Sequence, residues 1–168
     1  IFGAGQVGQY LETVLSHYNI FAGYIDNSPE KIARGINNQK VYSLEDYMAE
    51  GKQGWIVIAA ARKNIPIISN QLVDAGYKEA EDFYVYSVFE GRVFPILALV
   101  MYNQVFMSAV QVCVTERCSL KCKKCAHACY AVSGNAKDME LQEVFYSADS
   151  LFGSVDYVKE FVLIGGEP

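Results

Sequence analysis

The chain reads as an α/β protein in two parts, each built on parallel strands, and three observations predict this. A G-x-G-x-x-G turn opens the sequence, between the stub of a strand and a stretch with helical periodicity. Apolar runs then alternate with helical patterns as far as Phe83-Tyr84-Val85-Tyr86. After a change of composition between Ser87 and Phe106, a second strand, helix and strand follow, with cysteines after the first strand and Gly165-Gly166-Glu167-Pro168 after the second.

The first part starts with Ile1-Phe2-Gly3-Ala4-Gly5-Gln6-Val7-Gly8, and Leu11, Val14 and Leu15 carry a helical face through Val7 to Tyr18. Glycines at positions 3, 5 and 8 let the backbone turn tightly and approach a phosphate at the helix N-terminus, where unpaired N–H groups and the helix dipole favour an anion. The run Ile20-Phe21-Ala22-Gly23-Tyr24-Ile25-Asp26 is a second strand, ending in an acid eighteen positions past Gly8. Such an acid can accept a hydrogen bond from a ribose hydroxyl. Glycine turn, helix, strand and acid in this order describe a Rossmann-like βαβ unit, with Gly3, Gly5, Gly8 and Asp26 as candidate nucleotide-binding residues.

A helix around Leu44 to Ala49, the strand Trp55 to Ala60, a helix around Ile65 to Ala75 and the strand Phe83 to Tyr86 complete this part. Uninterrupted apolar strands suit a parallel sheet covered by helices on both faces. Trp55 is expected to pack at a strand edge, and His17 to complement the dipole at a helix C-terminus. The runs Gly23 to Pro29 and Gln71 to Tyr77 resemble compact Rossmann-like modules attached to sugar-modifying and polysaccharide-biosynthesis proteins. That resemblance leaves open whether the module binds a nucleotide or nucleotide sugar or acts as a scaffold, because fold alone does not confer function.

Composition narrows the partners. With 168 residues, 52% hydrophobic, 20% charged and a net charge of −5, the chain has the make-up of an ordinary globular protein of one or two domains. No basic face marks a nucleic-acid partner. The apolar run Val93 to Tyr102 is far short of the ~20 residues needed to span a bilayer, so no membrane span is expected. Four of the five cysteines crowd into the twelve residues 118–129 rather than spreading as pairs, which favours a metal site in a reducing, cytoplasmic compartment over a disulfide framework. Both ends fall inside motifs, so the sequence is expected to be part of a longer gene product. The expected domains are a Rossmann-like nucleotide-binding-type domain over 1–88, a connector over 89–108, and the truncated opening of a second domain over 109–168.

In the second part, the strand-like run Ala109 to Val114 leads into Cys118-x3-Cys122-x2-Cys125. Thiolates select zinc, copper(I) or iron-sulfur clusters, and a four-iron cluster normally takes four cysteines. Three leave one iron open to a ligand. Leu141, Val144, Phe145, Ala148, Leu151 and Phe152 recur at helical spacing as an expected core face, and Glu160 to Ile164 reads as the next parallel strand. Both motifs then leave the C-terminal ends of neighbouring strands, the face on which β/α barrels carry their active sites.

The cysteine triad and the Gly-Gly-Glu-Pro segment resemble the two signature motifs of the radical S-adenosylmethionine (SAM) enzymes. The resemblance implies the opening β-α-β of a radical SAM partial (β/α) barrel. It further implies a [4Fe-4S] cluster on Cys118, Cys122 and Cys125, with the open iron chelating SAM and with Gly165, Gly166 and Glu167 steadying its methionine group. The implied chemistry is one-electron cleavage of SAM and hydrogen abstraction by the resulting 5′-deoxyadenosyl radical, from a small-molecule or glycan-type substrate. Lys124 stands where the family often has an aromatic residue before the third cysteine.

Other readings stay open from the residues themselves. Cys129 can close the site as a fourth ligand, giving a zinc or electron-transfer centre, and His127 can substitute for a ligand. Cys113 is expected to be a small buried hydrophobe. Arg117, Lys121, Lys123 and Lys124 make the loop locally basic, either as a solvated loop or as a guide for an acidic flavodoxin or ferredoxin-type reductant. The glycine turn with Asp26 also fits an NAD-dependent or nucleotide-sugar oxidoreductase, although no Ser/Tyr/Lys catalytic pattern follows.

Overall fold

The computed structural model describes residues 1–51, 54–120, 122–125 and 137–166. It is a mixed α/β protein with small parallel sheets. The chain divides into two compact units, Ile1–Phe89 and Glu90–Pro168.

In the first unit, Gly5 caps α1 (Gln6–His17), whose Leu11 and Leu15 are buried. It leads to β1 (Tyr24–Ile25), α2 (Pro29–Arg34), β2 (Val41–Tyr42) and α3 (Leu44–Ala49). Then come β3 (Ile56–Ile58), α4 (Ile65–Asp74), β4 (Phe83–Val85) and the single turn α5 (Tyr86–Val88). The local causes are visible in the sequence. Pro29 pre-sets the first turn of α2, and the Ser43 hydroxyl accepts the Asp46 N–H at 3.0 Å to start α3.

Strand β1 pairs parallel with β2, and β3 pairs parallel with β4. Phe2 bridges in parallel to both Ile25 and Ile58. Its N–H reaches the Val57 carbonyl at 2.8 Å and its carbonyl takes the Ala59 N–H at 2.8 Å. The resulting order is β2, β1, Phe2, β3, β4. Because successive strand residues point to opposite faces, Ile25 joins a core cluster with Ile56, Ile58, Phe83, Leu44 of α3 and Ile68 and Leu72 of α4. Its neighbour Tyr24 joins a second cluster with Ala4 and Val41, against which Ile32 of α2 packs. Trp55, just before β3, is about half exposed and meets the Tyr84 ring edge-on at 5.5 Å.

The second unit contains α6 (Phe94–Tyr102), β5 (Phe106–Met107), β6 (Val110–Thr115), α7 (Leu141–Phe152), β7 (Tyr157–Val158) and β8 (Phe161–Gly165). Residues 89–108, read from sequence as a connector, thus hold a helix and a strand. Phe106 of β5 is buried between Phe94, edge-on at 4.9 Å, and Tyr157, stacked at 4.8 Å. β5 pairs parallel with β7 and β6 pairs parallel with β8. The β6–β8 register runs from Val110 opposite Phe161 to Thr115 opposite Gly165, with an irregularity between Cys113 and Thr115. These are two separate two-stranded ladders, and no closed barrel forms among the described residues.

Helix α7 packs Phe152 against Phe161 of β8 at 5.4 Å. Its apolar stripe is only partly covered: Val144, Ala148 and Leu151 are half-buried, whereas Leu141 and Phe145 are exposed. Among the described residues no helix is long and apolar enough to cross a membrane.

Candidate metal and cofactor site

Strands β6 and β8 run in the same direction and end side by side, so the segments that leave them start next to each other. The Gly166 N–H donates to the Thr115 carbonyl at 3.1 Å. A Cβ on Gly165 would lie 2.7 Å from both Cγ2 and the carbonyl oxygen of Thr115. A Cβ on Gly166 would overlap the Arg117 carbonyl and come within 2.8 Å of Cys118 Cβ. Only glycine fits there. The two motifs, forty-eight positions apart from Cys118 to Gly166, therefore meet backbone to backbone.

Cys118 and Cys125 are half-buried and Cys122 is exposed, and none of them is in a disulfide. Among the described residues no three Cys, His, Asp or Glu side chains are gathered into a group that could hold a metal ion. The structure thus brings Cys118 to Gly166 without converging the three thiols. Glu167, Lys121, His127 and Cys129 lie outside the described residues. Cys113, expected to be buried, is exposed, with its thiol 3.5 Å from the Thr115 carbonyl. Gln111, two positions back on the same face of β6, is exposed as well.

Two residues that no motif flagged organise the start of the cysteine loop. The Thr115 hydroxyl donates to Asp138 Oδ1 at 2.7 Å and accepts the Arg117 N–H at 3.1 Å. Arg117 Nε lies 3.1 Å from Asp138 Oδ2. Beside them the chain returns antiparallel to the end of β6: the Glu116 N–H donates to the Lys137 carbonyl at 3.1 Å, and the Met139 N–H to the Val114 carbonyl at 2.9 Å. Their only signal in the sequence is an ordinary Thr and an ordinary Asp.

In the first unit the three glycines of the opening turn differ in what holds them. Gly3 has φ +114°, and a Cβ there would meet the Ala59 carbonyl at 2.5 Å. A Cβ on Gly8 would overlap the Gly3 carbonyl, so α1 rests directly on the turn. Around Gly5 there is open space, at the N-terminus of α1. A cavity of about 270 Å³ lies beside this turn, lined by Phe2, Gly3, Asp26, Asn27, Asn64, Ile67 and Ile68.

Asp26 is buried, and its carboxylate is already engaged within the chain. It accepts the Ala4 N–H at 2.8 Å, the Ser28 N–H at 2.9 Å and the Lys31 ammonium at 2.8 Å. Burial pushes its pKa up, but the Lys31 hydrogen bond, the two backbone N–H groups and the Lys31 charge together outweigh this and hold it below the ordinary carboxylate value. The acid ties the glycine turn to α2. Next to it the Asn27 and Gln71 amides pair reciprocally at 2.9 and 3.2 Å. Compared with models of protein families, with curated proteins and with solved structures, the chain matches none.

Proposed function

We propose that the chain carries the cofactor-binding opening of a radical SAM enzyme, fused behind a Rossmann-like module. Cys118, Cys122 and Cys125 would hold a [4Fe-4S] cluster, and Gly165, Gly166 and Glu167 would hold S-adenosylmethionine beside it. The observation that carries this reading is the contact of Gly166 with Arg117 and Cys118, where no side chain fits. A sequence-distant Gly-Gly pair pressed against the first cysteine, at the C-terminal ends of two parallel strands, is what a cofactor shared by both motifs requires.

The donor set fits the group. Three thiols on one loop are soft ligands suited to iron, and the cradle beside Cys118 is bare backbone. When bound, cluster and SAM supply one-electron reduction and hydrogen abstraction. The protein's share is to ligate, orient and shield. Arg117, Lys123 and Lys124 place positive charge beside an anionic centre and favour docking of an acidic flavodoxin or ferredoxin-type reductant in the cytoplasm. The parallel β6–α7–β8 unit supports the opening of a β/α barrel, and the strand order β2, β1, Phe2, β3, β4 supports the Rossmann-like reading of the first unit. Gly5, the one glycine of its turn with open space around it, is where that module would admit a nucleotide or nucleotide sugar. The substrate class is a small molecule or glycan.

Anaerobic reconstitution with iron and sulfide, followed by low-temperature electron paramagnetic resonance (EPR) of the reduced chain with and without SAM, tests the reading. A four-iron signal that shifts on addition of SAM is expected. A site that takes no cluster, or one indifferent to SAM and dependent on Cys129, would make this a closed metal centre and defeat the proposal.

A further inference from the structure

Cys118 is the ligand nearest the Gly-Gly segment, so whatever fixes its backbone also sets the distance between the two motifs. Three contacts act on Arg117, the residue before it. Its N–H is held by the Thr115 hydroxyl at 3.1 Å, its guanidinium by Asp138 at 3.1 Å, and its carbonyl faces the bare Cα of Gly166. Thr115 and Asp138 are in turn bonded to each other at 2.7 Å. The triangle is closed, and it joins the strand that enters the cysteine loop to the segment that leaves it.

We infer that Thr115 and Asp138 are positioning residues that align the cysteine loop with Gly166, and so couple the cluster to SAM without touching either. This rests on the radical SAM reading. The thiols themselves lie outside the triangle, so breaking it keeps all three in the loop but misaligns Cys118 with the Gly-Gly segment. Outer contacts of this kind orient the inner ones, and around metal centres their loss typically costs about 10–100-fold in metal affinity or activity; here the cost is expected to fall on the alignment with SAM.

Thr115→Val is the sharpest probe, because it keeps the methyl group that Gly165 packs against and removes only the hydroxyl. Asp138→Ala breaks the triangle from the other side, and Thr115→Ser restores the hydroxyl. Iron and sulfide content is measured after reconstitution of the chain, and SAM is then titrated against the EPR shift. Thr115→Val and Asp138→Ala are expected to load iron and sulfide like the parent chain, yet to need roughly tenfold more SAM or beyond for the half-maximal shift, with Thr115→Ser close to the parent. Equal SAM requirements in parent and variants would overturn the inference. Loss of the cluster itself in Thr115→Val would overturn it too, since the triangle would then build the site and not align it. A parent chain whose signal ignores SAM defeats the functional reading before any variant is made, and the inference falls with it.

Discussion

A carboxylate that ends a strand beside a glycine turn can serve a ligand, its own chain or both, since its two oxygens offer about four acceptor positions. Asp26 serves its own chain through Ala4, Ser28 and Lys31. Hydrogen bonds to a charged group carry more than neutral ones, so Asp26→Asn is expected to destabilise the first unit by about 1–3 kcal/mol. The ion pair adds little, because the Lys31 side chain is 35% exposed. Trp55, the sole tryptophan, lies in the first unit, and its fluorescence during urea unfolding reads this loss. The same residue sets an acid limit. A pKa held below its unfolded value contributes stability that is complete above the ordinary aspartate range, about pH 4, and is lost as pH falls through the folded value. The urea midpoint of the parent should therefore drop on acidification below that range, and Asp26→Asn should flatten the drop. An unchanged acid limb in the variant would mean that other carboxylates set it.

Among elements, those with an apolar face or an unbroken apolar run were legible, and those with neither, or apolar on every side, were not. The pattern around Leu11 and Leu15 marked α1, and the Leu141 to Phe152 stripe marked α7 within its observed bounds. Helix α2 and strand β2, six and two residues long, were missed; α2 buries no residue, so unlike the equally short α3, which buries Leu44, it has no apolar face to mark it. Residues 94–102 were read as a connector because a helix that is apolar all round has no polar face to reveal its turn. The β5–β7 pairing joins residues some fifty positions apart and leaves no local trace. At the site, the cysteines and glycines were visible because few chemistries use them at that spacing. Thr115 and Asp138 were invisible because their role exists only once β6 and the returning chain are side by side. The element that sequence passed over is central to the second unit: Phe106→Ala, which empties the space between Phe94 and Tyr157, is expected to cost about 3–5 kcal/mol. Thermal unfolding by far-ultraviolet circular dichroism measures it, and a loss under about 1 kcal/mol would show that the aromatic trio does not hold the unit together.

For the molecule as a whole, each unit has its own buried apolar residues, and the two proposed ligands belong to different units. A ligand stabilises the fold that binds it, by about 2.7 kcal/mol at a concentration one hundred times its dissociation constant. Loading the cysteine site is thus expected to raise the unfolding transition of the second unit and to leave the Trp55 transition where it was. Circular dichroism and tryptophan fluorescence on the same reconstituted sample separate the two, and a Trp55 midpoint that moves with the metal would show that the units unfold as one.

The bare backbone of Gly166 also has a consequence for heredity. Every missense change in a glycine codon adds at least a Cβ, and at Gly166 any Cβ collides with the Arg117 carbonyl. Such a position has no conservative neighbours in the genetic code. In a saturation library under selection, all of its alternatives should vanish together, whereas Gly5, with empty space around it, can be replaced without injury to the fold. Depletion at Gly5 would then be the mark of a ligand, written in survivors.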